Sequence, residues 1–110
     1  MRDDGIYIEH IAEAIARIEE WTARDREVFM TDERTREAVL RKLHTLTESV
    51  QKVSAATRAR WPAVQWREIG SFRNVVVHDY LSLDLDRIWQ MVEQLFELRQ
   101  AFEEILRAFP

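Results

Sequence analysis

Cysteine is absent from the sequence, and glycine and proline occur only twice each in 110 residues. The missing thiols exclude disulfide scaffolds, thiol catalysis and cysteine-ligated zinc or iron–sulfur sites. Average usage is about 7% for glycine and about 5% for proline, and sheets with tight turns depend on both. Their scarcity argues against a β-sandwich, a barrel or a glycine-rich phosphate loop. No stretch approaches the roughly 20 uncharged apolar residues of a membrane helix. The opening Met1-Arg2-Asp3-Asp4 lacks the apolar run of a signal peptide. What remains is 46% hydrophobic and 33% charged. That balance predicts one helical domain over residues 1–110 without a membrane segment, and the missing cysteines fit a reducing, cytoplasmic location.

The net charge is −4, which taken alone speaks against a nucleic-acid partner. Its distribution speaks otherwise. Residues 1–49 hold 8 positive and 12 negative side chains, or −4. Residues 50–78 set Lys52, Arg58, Arg60, Arg67 and Arg73 against Glu68, or +4. From Asp79 onward three arginines face seven acids, or −4 again. A basic middle between acidic ends can hold an anion, because local potential outweighs the sum.

Apolar spacing predicts four helices. Ile8, Ile11, Ile15 and Ile18 mark the first, over residues 3–24. Residues 22–30 read as a loop that packs Val28-Phe29-Met30 back on the core. Thr31 or Asp32 caps a second helix running to about residue 57, with Val39, Leu43, Leu46, Val50 and Val53 as its stripe. Residues 58–62 break it, since the residue before Pro62 disfavours helix. A third helix covers 63–80. The fourth begins at a Ser82 or Asp84 cap and continues to 109. It carries two apolar stripes, one of Ile88, Met91, Leu95, Leu98, Phe102, Ile105 and Phe109, the other of Trp89, Val92, Phe96 and Leu106. Two stripes point to contact on two sides and hence to a dimer. A helix at the bundle centre is the alternative.

The third helix holds the unusual chemistry. At about 100° per residue, Ile69, Phe72, Val75, Val76, Val77 and Tyr80 cover more than half its circumference. Arg67, Ser71, Asn74 and His78 share the remaining arc. Histidine can act as base and acid near neutral pH, and arginine offers a permanent charge and a forked donor set for phosphate. The strip therefore reads as an anion-handling site, with an ordinary surface strip as the bland alternative. Arg73 falls on the apolar side, where it needs an acidic partner or a wet cleft. Arg73 and His78 lie about 140° apart around the helix, so one helix does not aim both at one atom, whereas a two-fold dimer could. His10 and His44 belong to no ligand-spaced set and read as structural or solvent-facing; no metal motif is present. Trp61 and Trp66 could stack on bases, but tryptophans at a helix entry are more often core plugs.

The run Arg73-Asn74-Val75-Val76-Val77-His78-Asp79-Tyr80 resembles the R-N-x-x-x-H-x-Y motif of HEPN-domain proteins, specifically the HepT-like toxins. The Tyr7-Ile8 opening, the Pro62 and Trp66 pair and the Ile88-Trp89 start of the last helix extend the likeness over nearly the whole chain. Where relatives often carry Gly-Glu-Ala, this chain has Thr47-Glu48-Ser49. The resemblance implies an all-α, antiparallel four- to five-helix bundle that dimerises with its motifs lining a shared cleft. It implies a metal-independent endoribonuclease needing no cofactor, the toxin of a prokaryotic toxin–antitoxin pair with RNA as substrate. Arg73 and His78 would be catalytic, Asn74 would support the motif, and Arg67 and Ser71 would be candidate RNA contacts. The partner would be an MntA-like nucleotidyltransferase antitoxin that neutralises the toxin by transferring AMP to Tyr80. A binding or scaffold module that partners such a transferase without cutting RNA stays open as an alternative.

Overall fold

The computed structural model describes residues 2–78 and 84–109, with side chains from 4 to 76 and from 84 to 109. These residues form α1 (Arg2–Thr22), α2 (Arg26–Thr31), α3 (Glu33–Lys52), α4 (Ala55–Arg60), α5 (Trp66–His78) and α6 (Leu85–Arg107). The four long helices are those expected from the apolar spacing. They form an all-α bundle in which α1 packs on α3 and α6, and α3 packs on α5, while α5 and α6 meet far less. The expected stripes lie inside. Ile8, Ile11, Ile15 and Ile18 of α1, Val39, Leu43, Leu46 and Val50 of α3, and Ile88, Leu95, Phe102 and Ile105 of α6 are all buried.

Three boundaries differ from the sequence reading, each for a tertiary reason. Residues 22–30 were expected as loop, yet 26–31 are helical. Asp25 caps α2 by accepting from the Glu27 N–H at 2.9 Å. Phe29 is fully buried, 5.5 Å from Trp89 ring to ring, and the Arg36 guanidinium donates to the otherwise unpaired Phe29 and Met30 carbonyls. Before α2, α1 ends on two left-handed residues, Ala23 and Arg24, with φ of 53° and 57°. Non-glycine residues rarely adopt this conformation. Here Arg24 is held in it by donating to Glu19 at 2.8 Å and by lying 5.2 Å over the Phe96 ring.

The second expected helix stops at Lys52 rather than near 57. Val53 is extended and buried, and Ser54 starts the short α4 as its N-cap. The break is made by Asp4, whose carboxylate is 3% exposed. It accepts from the Ser54 N–H at 3.1 Å and from the Ser54 and Thr57 hydroxyls at 2.5 Å each. Arg58 then donates to the Val50 and Gln51 carbonyls at the end of α3. The third expected helix starts at Trp66, not 63. The Trp61 carbonyl takes both the Val64 N–H and the Trp66 indole N–H, and this closes a turn at 61–64. Asp32 and Asp84 are the caps of α3 and α6; Ser82 lies outside the described residues.

The second stripe of α6 finds its cover within the chain. Trp89 packs between Phe29 and Phe96, and Trp89, Val92 and Phe96 are all buried. The central-helix alternative therefore accounts for the two stripes, and they do not by themselves require a second copy. Thr47 and Ser49 are also buried, and the Thr47 hydroxyl is satisfied by the His44 carbonyl. No described helix is long and apolar enough to cross a membrane.

Burial raises the pKa of the Asp4 carboxyl, but the hydrogen bonds from Ser54 and Thr57 outweigh it and hold the group below its ordinary value of 3.8. The carboxylate thus contributes stability that is full above that value and lost as pH falls through the lower, folded-state value. Asp4→Ala removes the acceptor of three bonds and should cost about 2 kcal/mol. Urea unfolding at pH 7 measures this, and the gap from wild type should shrink as the pH is lowered below 4. At Gly70 a Cβ would lie 3.4 Å from the Gln51 side chain, in ordinary contact. Gly70→Ala should therefore be neutral or stabilise by up to about 1 kcal/mol. Gly70→Leu should cost about 1–3 kcal/mol by prising α5 from α3. Equal urea midpoints for the two variants would remove this close approach as a constraint.

Candidate active site on the fifth helix

The sequence of α5 makes a helix that is apolar over most of its surface, so most of it must be covered. Ile69, Gly70, Phe72 and Val76 are buried and Val75 is half-buried. Gly70 brings the backbone close to α3, where the Gln51 amide donates to the Gly70 carbonyl at 3.1 Å. Trp66 anchors the start of the helix. Its indole N–H is held by Trp61, and its ring meets Phe102 edge-on at 5.6 Å. Both tryptophans are packing residues rather than open stacking platforms. Trp66 is 7% exposed, and half-buried Trp61 sits between Phe109 and the Arg60 guanidinium.

With that face covered, the polar strip is left to solvent. Arg67, Ser71 and Asn74 are all exposed. The Ser71 hydroxyl donates to the Glu68 carbonyl at 2.6 Å, which leaves its oxygen free to accept. His78 is the last residue of α5; its side chain, and the whole of Tyr80, lie outside the described residues. Arg73 is half-buried and forms no ion pair with any described residue. The acidic partner that its position on the apolar side called for is therefore absent among the described residues.

Because α5 and α6 diverge, a seam opens between them. One cleft in it, of about 450 Å³, is lined by Glu68, Ser71, Phe72, Asn74 and Val75 of α5 and by Arg87, Gln90, Met91 and Gln94 of α6. A second, of about 320 Å³, continues it past Ile69, Glu97 and Leu98. Asn74 thus faces a groove whose far wall supplies an arginine and two amides. The sequence reading missed Arg87, Gln90 and Gln94. Their only signal there is polarity on the outer face of an otherwise apolar helix.

The remaining histidines take no part in this region. His10 is exposed on α1, and His44 pairs with Glu48 one turn on in α3, at 3.0 Å. Among the described residues no three His, Asp or Glu side chains gather closely enough to hold a metal ion.

Comparison with known proteins adds a family. The model of the ribonuclease HepT-like family matches residues 11–105. A Thermococcus cleftensis protein named as a probable ribonuclease HepT is 34% identical over 104 residues, covering 90% of this chain and 92% of its own. A Methanocaldococcus jannaschii protein whose name pairs a gamma-glutamylcyclotransferase with an RNase is 28% identical over 107 residues, 96% of this chain. The chain spans only 47% of that longer protein. A Caldanaerobacter subterraneus protein carrying the name of an RNase is 29% identical over 109 residues, 97% of each chain. No solved structure matches. With an all-α bundle, a covered motif helix and a family match over most of its length, the chain belongs to the HepT-like ribonuclease family.

Proposed function

We propose that this protein is an endoribonuclease, the toxin of a prokaryotic toxin–antitoxin pair, working in the cytoplasm on RNA without a metal ion. The observation that carries the reading is the exposed strip Arg67–Ser71–Asn74 leading to His78 on an otherwise covered helix, with Arg73 beside it unpaired among the described residues. Family membership supports the substrate.

The chemistry uses the RNA's own nucleophile. A base removes the proton of the 2′-OH, the 2′-oxygen bonds to the adjacent phosphorus, and the bond to the 5′-oxygen breaks. An acid returns a proton to that oxygen, leaving a 2′,3′-cyclic phosphate and a 5′-OH. His78 serves as base or acid, and Arg73 stabilises the negative charge that builds on the phosphoryl oxygens. Asn74 orients the motif, and Arg67 and Ser71 contact the RNA. A homodimer with facing α5 helices would supply two copies of His78 and Arg73, meeting the need for both a base and an acid.

Control falls to a nucleotidyltransferase partner that transfers AMP to Tyr80, two residues beyond His78. The added phosphate repels RNA, and the adenosine blocks the approach to the motif.

His78→Ala should lower the cleavage rate of a labelled RNA by about 10²–10⁴-fold, and Arg73→Ala by about 10²–10³-fold. Growth arrest on expression should vanish with either. Wild-type cleavage by His78→Ala would remove the residue from the mechanism. A Tyr80→Phe toxin should stay active when co-expressed with a competent transferase, and mass spectrometry should find no AMP on it. If Tyr80→Phe is neutralised as fully as wild type, Tyr80 is not the control point.

A further inference from the structure

A neighbouring hollow of about 680 Å³, which shares Glu68 and Ser71 with the cleft at Asn74, lies between α4 and the first turns of α5 and is lined by Arg58, Gln65, Trp66, Arg67, Glu68 and Ser71. Two of these are arginines fixed in different ways. Arg58 is held by its Nη2, which donates to the Val50 and Gln51 carbonyls at 3.0 Å each. Its Nε is buried, while Nη1 is neither buried nor bonded among the described residues. That leaves one edge of a positioned guanidinium open. Arg67 lines the same hollow, exposed and without an ion pair to any described residue. Residues 49–67 contain Lys52, Arg58, Arg60 and Arg67 and no acid, and among the described residues that line the hollow Glu68 is the only carboxylate. The Ser71 hydroxyl donates its hydrogen bond to the Glu68 carbonyl, so toward a ligand its oxygen can serve as an acceptor.

We propose that this hollow is a phosphate subsite for single-stranded RNA, distinct from the Arg73–His78 motif; the inference rests on the ribonuclease reading above. Two guanidinium groups suit a backbone phosphate. An accepting hydroxyl beside them suits a ribose 2′-OH, the group that separates RNA from DNA. Trp66 is locked into the core and gives no stacking face, so the subsite reads the backbone and not the base. Arg67 precedes His78 by roughly 16 Å along the helix axis at about 1.5 Å per residue. A strand bound in the hollow therefore runs along α5, with the scissile bond a few nucleotides away.

Arg67 is the position to test, because it is exposed whereas Arg58 also caps α3. Binding of a labelled single-stranded RNA is measured against salt for the wild type and Arg67→Gln, with the same sequence as DNA alongside. The variant should show a log K against log salt slope shallower by about 0.7 and roughly tenfold weaker binding of the RNA. Cleavage of a dinucleotide, too short to span the distance, should suffer a smaller loss than cleavage of the long strand. The wild type should prefer RNA to DNA. An unchanged slope, or equal losses on long and short substrates, overturns the subsite. If RNA is cut and the slope is unmoved, the subsite alone fails. If RNA binding depends on Arg67 but nothing is cut, the ribonuclease reading fails and the subsite stands. If the wild type neither binds nor cuts RNA, both fall.

Discussion

The close approach of α5 to α3 at Gly70 is the contact on which the site depends. There the backbone of α5 lies against Val50 and Gln51 with room for a Cβ but little more, and a helix so pinned buries Ile69, Phe72 and Val76. Once those residues face inward, helical geometry decides the rest. Arg67, Ser71 and Asn74 have nowhere to point but outward. Trp66 fixes the entry of the helix through one hydrogen bond and one ring contact. Between them, Gly70 and Trp66 set both the rotation and the position of α5.

A second constraint sits just beyond the same, C-terminal end of α3. Asp4 reaches from α1 to take three hydrogen bonds from Ser54 and Thr57, ending one helix and starting the next. The short α4 that follows delivers Arg58 back to the α3 carbonyls. A buried carboxylate would ordinarily destabilise a core, and this one is stabilised because its oxygens are met by donors. It also directs the chain so that a basic stretch without acids passes beside the start of α5. The acidic majority of the protein lies elsewhere, so net charge is a poor guide to what binds there.

Much of this was legible in the residue pattern. The isoleucine stripe of α1, the stripe of α3 and the Asp32 and Asp84 caps are local signals, and each is found where it was expected. The polar strip of α5 was legible for the same reason, since its residues share one face at the helical period. What covers a face is not encoded in its period. The two stripes of α6 read as an invitation to a partner. The chain meets that demand itself with Phe29 on α2; that Phe29 packs on the core was expected, but not that it does so from a helix or against Trp89.

The amino-acid sequence by itself determined an all-α chain, the faces of its long helices and the order of the R-N-x-x-x-H-x-Y run. These are properties of composition, period and local order, whereas family membership rests on the match over residues 11–105. Only the tertiary structure decided that α3 ends at Lys52, that the second stripe of α6 is covered within one chain, and that Arg58 and Arg67 border one hollow. Each of these depends on residues distant in sequence meeting in space: Asp4 with Ser54, Phe29 with Trp89, and α4 folding back toward α5. Contacts of that kind leave no periodic trace in the chain that makes them.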